Sequence, residues 1–204
     1  QIGSSSWTAV SANANGGSLG IRIDGLLFAW GVGTSGQLGD GTIVSKSSPV
    51  QIGSSYWTAV SAGSVYAAAI RADGLLFTWG GNGSGQLGDG TIADKSSPVA
   101  LQGIYGTSSW TAVTAGSSYT LAIRSDGTLF AWGVGTSGQL GDGTQVSKSS
   151  PVQIGSSSWT AVSAGAVHVA AIRSGGTLFT WGLNSLGQLG DGTTVDKSSP
   201  VQIG

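Results

Sequence analysis

The sequence predicts an all-β chain, a β-propeller of four-stranded antiparallel blades with four repeats of ~50 residues. Three observations predict it: a fourfold self-similarity, short β-branched and aromatic runs bounded by turn residues, and a pair of Trp in every copy. The copies, approximately 1–50, 51–103, 104–153 and 154–204, fill the 204 residues as a single array.

The repeat is read from fixed landmarks. W-T-A-V-S-A or a close variant starts at Trp7, Trp57, Trp110 and Trp159, and a second Trp followed by Gly recurs at Trp30, Trp79, Trp132 and Trp181. G-Q-L-G-D-G-T begins at Gly36, Gly85, Gly138 and Gly187, and K-S-S-P-V at Lys46, Lys95, Lys148 and Lys197. The spacing is 49 or 50 residues except in the middle, where 101–106 carries a short insertion. A longer period lies above this one: 27–61 matches 129–163 at all but two positions, Ile43/Gln145 and Tyr56/Ser158. The array thus reads as a two-repeat unit duplicated as a block.

Within the second copy each element has its own signal. Residues 57–62 form a β-branched and aromatic run broken by Gly63, and Tyr66–Arg71 ends at the turn Ala72-Asp73-Gly74. Residues 75–79 make a strongly apolar strand that the Gly-rich run 80–90 closes, and 98–101 is a short strand whose Pro suits a strand start or an edge. No stretch holds the 3.6-residue period over ten residues or more, so no helix is predicted. A β-helix solenoid and the kelch repeat are the rival readings. The first has shorter coils without paired Trp, and the second is marked by a Gly-Gly doublet in another setting.

Composition excludes several function classes. There are 37 Gly, no Cys, no Met and no Glu, charged residues make up 8%, and the net charge is −1. A nucleic-acid site needs clustered Lys and Arg, which this chain lacks, and an anionic membrane surface is disfavoured for the same reason. No apolar run nears the ~18 residues of a membrane span. The missing Met means that no initiator is present, as expected of a processed product, a fragment or an engineered array without native activity.

The candidate chemical groups read as framework. Asp40, Asp89, Asp142 and Asp191 each lie between glycines in L-G-D-G-T, where a turn residue bonding its own backbone competes with a calcium ligand. His168 is the only histidine, and it occupies the place of Tyr66 and Tyr119, so a Ser/His/Asp triad or a propeller-based hydrolase or lyase finds little support. Arg22, Arg71, Arg124 and Arg173, like the four Lys, recur once per copy and call for a periodic partner such as a blade Asp. No cofactor site is predicted. What varies between copies is the loop 32–35, 81–84 and 183–186 and the insertion. Asn82, Leu183, Asn184 and Leu186, with Ile104 and Tyr105 of the insertion, are the binding candidates.

The strings G-x-L-F-x-W-G, G-Q-L-G-D-G-T and S-P-V resemble the repeat of the regulator of chromosome condensation family, and the resemblance covers all four copies. W-G-x-N-x-x-G-Q-L-G stands in copies two and four, while Gly33 and Gly135 take the Asn position in copies one and three. The resemblance implies four-stranded blades, usually seven, closed into a ring. It also implies functions as different as nucleotide exchange, nucleosome docking, ultraviolet sensing and β-lactamase inhibition. The neutral, Ser/Thr-rich surface is most like the bacterial secreted or surface members. The expectation is a non-enzymatic protein-binding or structural scaffold module, extracellular or at the cell surface, with an unknown protein partner, no nucleic acid and no membrane insertion. The two ends fall at one phase of the repeat, so the blades are expected to complete a ring with others, in a longer chain or by pairing two copies.

Overall fold

The computed structural model describes residues 6–101 and 109–204. The described residues form fifteen strands and no helix. They group into four antiparallel blades. Blade 1 is β1 (Trp7–Ala12), β2 (Gly17–Arg22), β3 (Leu26–Gly31) and the first part of β4 (Lys46–Ala62). Blade 2 takes the second part of β4, then β5 (Tyr66–Arg71), β6 (Leu76–Gly80) and β7 (Lys95–Ala100). Blade 3 is β8 (Trp110–Ala115), β9 (Tyr119–Arg124), β10 (Leu129–Gly133) and β11 (Lys148–Gln153). Blade 4 is β12 (Trp159–Ala164), β13 (His168–Arg173), β14 (Leu178–Gly182) and β15 (Lys197–Ile203).

The register repeats from blade to blade. Tyr66 faces Gly80, which faces Lys95, just as His168 faces Gly182 and Gly182 faces Lys197. Pro98 sits in β7, the last strand of its sheet, where a missing backbone N–H costs no ladder bond. The one departure is β4, a single 17-residue strand that serves both blades 1 and 2. The matching stretch of blades 3 and 4 differs from it at one residue. Tyr56 pairs with Leu26 and lies over Gly25, whereas the matching Ser158 leaves blades 3 and 4 with separate strands.

The core lies between blades, not within them. Leu19, Ile21, Leu27, Ala29 and Leu38 of blade 1 pack with Trp57, Ala67, Ala69 and Trp79 of blade 2. Ala68, Ile70 and Leu76 meet Trp110, Ala122 and Trp132 at the second junction. Leu121, Ile123, Leu129 and Leu140 meet Trp159, Val169, Phe179 and Trp181 at the third. Each blade therefore has a trailing aliphatic face and a leading aromatic one. On the leading face the rings meet edge to face, as between Trp57 and Phe77 at 5.2 Å, an arrangement the aromatic quadrupole favours.

The innermost strands are β1, the second part of β4, β8 and β12, and they bond across junctions. The N–H of Ala62, Ala115 and Ala164 donates to the hydroxyls of Ser11, Ser61 and Thr114 at 3.0, 2.9 and 3.1 Å. The Tyr66 hydroxyl donates to the Tyr119 carbonyl, and that of Tyr119 to the His168 carbonyl at 2.7 Å. Burial raises the pKa of both phenols far above its ordinary value.

These rings explain the odd start of the first copy. A Cβ on Gly63 or Gly116 would fall 1.9 or 2.0 Å from the ring of Tyr66 or Tyr119, and one on Gly165 would fall 2.4 Å from His168. Gly17 brings no ring, so Asn13 can replace the glycine. Its carboxamide oxygen accepts from the N–H of Asn15 and Gly17 at 3.0 and 2.8 Å.

Candidate interaction surfaces

Because the first and third strands of each blade end on the same side, the corner after the first strand and the long loop after the third share one face of the propeller. The corners, residues 12–14, 62–64, 115–117 and 164–166, line an axial funnel of about 260 Å³. Its wall is alanine, glycine, Asn13, Ser64 and Ser117, so it offers no charged group to a ligand.

Around the funnel run the loops with G-Q-L-G-D-G-T, and their polar residues build the loops themselves. Asp40 accepts from the N–H and hydroxyl of Thr42 at 3.0 and 2.8 Å with one oxygen, and Lys46 lies 3.1 Å from the other. The same triple recurs at Asp89, Asp142 and Asp191. These carboxylates are turn and ion-pair residues, as an Asp between two glycines suggests. Among the described residues no three His, Asp or Glu gather.

Two solutions hold the loop start, and they alternate. In blades 2 and 4 Asn82 and Asn184 are wholly buried. The Asn82 amide donates to the Ala93 and Thr91 carbonyls at 3.2 and 3.1 Å and its oxygen accepts from Leu87 N–H, while Asp94 receives its main-chain N–H at 2.7 Å. In blades 1 and 3 Gly33 and Gly135 stand there, a Cβ on either would meet a carbonyl oxygen 2.6 or 2.5 Å away, and Ser45 and Ser147 replace the Asp. Asn with Asp, or Gly with Ser, is the physical content of the two-repeat period.

The binding candidates therefore separate. Asn82 and Asn184 have no surface to offer, Leu183 is half-buried, and Leu186 is 89% exposed. Ile104 and Tyr105 lie outside the described residues. The exposed apolar residues that sequence reading passed over come one loop position later: Ile43 and Val44, Ile92, Val146 and Val195, each in the stretch after G-D-G-T. Their signal was visible as the only aliphatic residues in a polar segment of every copy.

On the opposite face Arg22 and Arg71 pair with Asp24 and Asp73 at 2.5 and 2.7 Å. Gly175 removes that carboxylate from blade 4, where Arg173 lies over Phe179 at 3.8 Å and Trp159 at 5.0 Å, closer to its Phe than Arg22 and Arg71 at 4.9 and 4.7 Å.

With this geometry in hand, the model of the regulator of chromosome condensation (RCC1) repeat matches residues 24–70, 73–123, 126–172 and 175–204. The chain belongs to the RCC1 repeat family. A second model of the same repeat matches 57–86, 110–139 and 159–188. Human WBSCR16 superposes with a TM-score of 0.89 at 26% identity, over 98% of this chain and 54% of that one. Prp20p of Saccharomyces cerevisiae, described with binding properties to Gsp1p and histones, gives 0.88 at 21% identity over 100% and 52%. Yeast RCC1 (Prp20) bound by Kap60 gives 0.87 at 21% identity over 100% and 50%. This RCC1-repeat chain spans about half the length of the structures it matches.

Proposed function

We propose that this RCC1-repeat array is a non-enzymatic protein-binding scaffold whose contact surface is the loop face. The observation that carries the reading is the division of labour inside each loop. Asp, Thr, Lys and the Asn or Ser partner are spent on holding the loop, while Ile43, Ile92, Val146 and Val195 stand more than half exposed at one or the other of the two positions after G-D-G-T. Repeated apolar side chains on rigid loops are what a protein partner desolvates. RCC1-type neighbours that bind Kap60, Gsp1p and histones support a protein as the class of partner.

The test uses affinity purification from the source material with three baits. They are the unaltered chain, a variant with Ser at positions 43, 92, 146 and 195, and Ile23→Ser on the opposite face. A partner retained by the first and third but lost by the second is expected. Binding indifferent to the loop variant sinks the reading.

A further inference from the structure

The turn after the arginine of each second strand does not follow the two-repeat period. In blade 2 both oxygens of Asp73 accept from Nε of Arg71 at 3.1 Å, and one also accepts from Nη2 at 2.7 Å. Asp24 holds Arg22 of blade 1 by the same fork. In blade 3 Thr128 stands where blades 1 and 2 have Leu26 and Leu75, and its hydroxyl and N–H engage Asp126 at 2.6 and 2.9 Å. In blade 4 Gly175 takes the place of the Asp altogether. The Nε of Arg124 and that of Arg173 are accordingly buried without a hydrogen-bond partner among the described residues.

Arg173 has the fuller surroundings of the two. It lines a pocket of about 290 Å³ between blades 3 and 4, together with Trp159, Ile154, Ser199 and Pro200. Trp159 is only 2% exposed, and its indole N–H also has no acceptor among the described residues. The guanidinium lies over the Phe179 and Trp159 rings, so aromatic faces hold the fork here instead of a carboxylate. Asp142 shares the wall, but Thr144 and Lys148 already engage it at 2.8 and 3.6 Å. Arg173 therefore leaves the pocket with one uncompensated positive charge. The junction is internal to the array, and Arg173 is half-buried, as its three counterparts are.

We propose that this pocket binds a carboxylate, received by Arg173 in the two-oxygen manner that Asp73 shows on Arg71. A buried donor without an acceptor is costly, and a planar fork is matched best by two oxygens at once. The Trp159 N–H and the Ser199 hydroxyl are the further donors of the wall, while Ile154 and Pro200 suit a short aliphatic stem. That describes an aspartate or glutamate side chain or a small organic acid. A single negative charge fits better than a phosphate dianion, which would balance one Arg and then meet Asp142. The proposal stands apart from the loop-face reading, because Arg173 lies on the opposite face.

Heteronuclear NMR of the isotope-labelled chain, titrated with N-acetylaspartate amide to high millimolar concentration, tests it. The eight Trp give eight indole signals in one spectrum. The Trp159 signal should move and saturate. That of Trp57, which pairs with the already occupied Arg71, should stay in place. N-acetylasparagine amide at the same ionic strength should move neither. An equal response to propionate identifies a small acid as sufficient, and a response to the blocked aspartate alone identifies a protein side chain; either result supports a carboxylate site. Arg173→Lys keeps the charge but loses the fork, and should weaken binding roughly tenfold. Gly175→Asp with Thr177→Leu rebuilds the turn of blade 2, supplies the carboxylate from within and should abolish the response, with the remaining indole signals reporting an intact fold. A Trp159 signal indifferent to both carboxylates, one that the asparagine probe moves equally, or one undiminished in the double variant overturns the proposal.

Discussion

G-Q-L-G-D-G-T occurs four times without a change, yet it is covered three times and open once. Gly36–Gly39, Gly85–Gly88 and Gly138–Gly141 are buried by the following blade, while Gly187 and Gln188 are half-buried and Gly190 is exposed. The internal turn bonds persist in the open copy: Gly190 N–H still reaches the Gly187 carbonyl at 3.0 Å, as Gly88 reaches Gly85 at 3.0 Å. Asp191 still holds Thr193 at 2.8 Å. The loop therefore forms on its own, and what the sequence repeats is half of a junction. The family matches say the same, since 24–70 and 73–123 each run from the third strand of one blade into the second strand of the next.

Substitutions at equivalent positions can break this comparison. The largest difference is expected at the second Trp. Trp132→Ala removes a fully buried ring and its bond to Gln86, and should lower the unfolding free energy by about 3–5 kcal/mol. Trp30→Ala, on the half-buried face, should cost about 1 kcal/mol by denaturant titration, since much of its area is already in water. Equal losses would show that the ring matters within its blade and not between blades.

Next comes the glycine. Gly88 and Gly190 both have positive φ, 74° and 70°, so Ala at either meets the ~1–2 kcal/mol penalty of left-handed backbone. Only Gly88→Ala also drives a methyl to 2.6 Å from the Trp132 indole, an overpacking worth roughly a further 1–3 kcal/mol. The difference between the two variants isolates the junction, and no difference would refute it.

Much of this was legible beforehand. Landmark spacing placed all four blades, and Tyr66–Arg71 is a strand with the bounds its residues predict. The outer strand starts at Lys95, earlier than position 98, because Gly80 pairs with Lys95 across a register shift that no local propensity records. The continuous β4 was hidden because Q-I-G reads as a break, and only the pairing of Tyr56 with Leu26 carries the strand past Gly53. The site was less legible than the fold. Asn82 and Asn184 looked like variable surface because their partners, Asp94 and Asp196, lie twelve residues on and bond only once the loop closes. Variation between copies was real, but at these positions it was paired variation inside a loop.

That pairing makes the third prediction. Asn82→Gly alone strands the Leu87 N–H and two loop carbonyls and should cost about 1–3 kcal/mol. Adding Asp94→Ser recreates the arrangement of blades 1 and 3, so the double variant should regain most of the loss. Additive losses in the four-state cycle would mean that the two loop forms are not interchangeable.

The smallest effect concerns acid, and it compares the loop carboxylates of the first two blades with that of the last. At Asp40 and Asp89 burial pushes the pKa up more than any other single influence, but the Thr hydroxyl, the Thr N–H and the Lys together hold it below its ordinary value. At Asp191 the Thr193 hydroxyl is the leading influence, with its N–H, Lys197 and Asn184 adding to it against burial, and the pKa falls to about 2. A depressed carboxyl binds fewer protons folded than unfolded, so its contribution is complete above the unfolded value of about 4 and is lost as pH falls through the folded one. Thermal melts should therefore hold steady down to pH ~4 and decline towards pH 2. Asp191→Asn should flatten the lower part of that decline by lowering the melt at pH 7 towards its acid value, because the amide keeps an acceptor for Thr193 but loses the pair with Lys197. A decline unchanged by Asp191→Asn would mean that this carboxyl does not carry it.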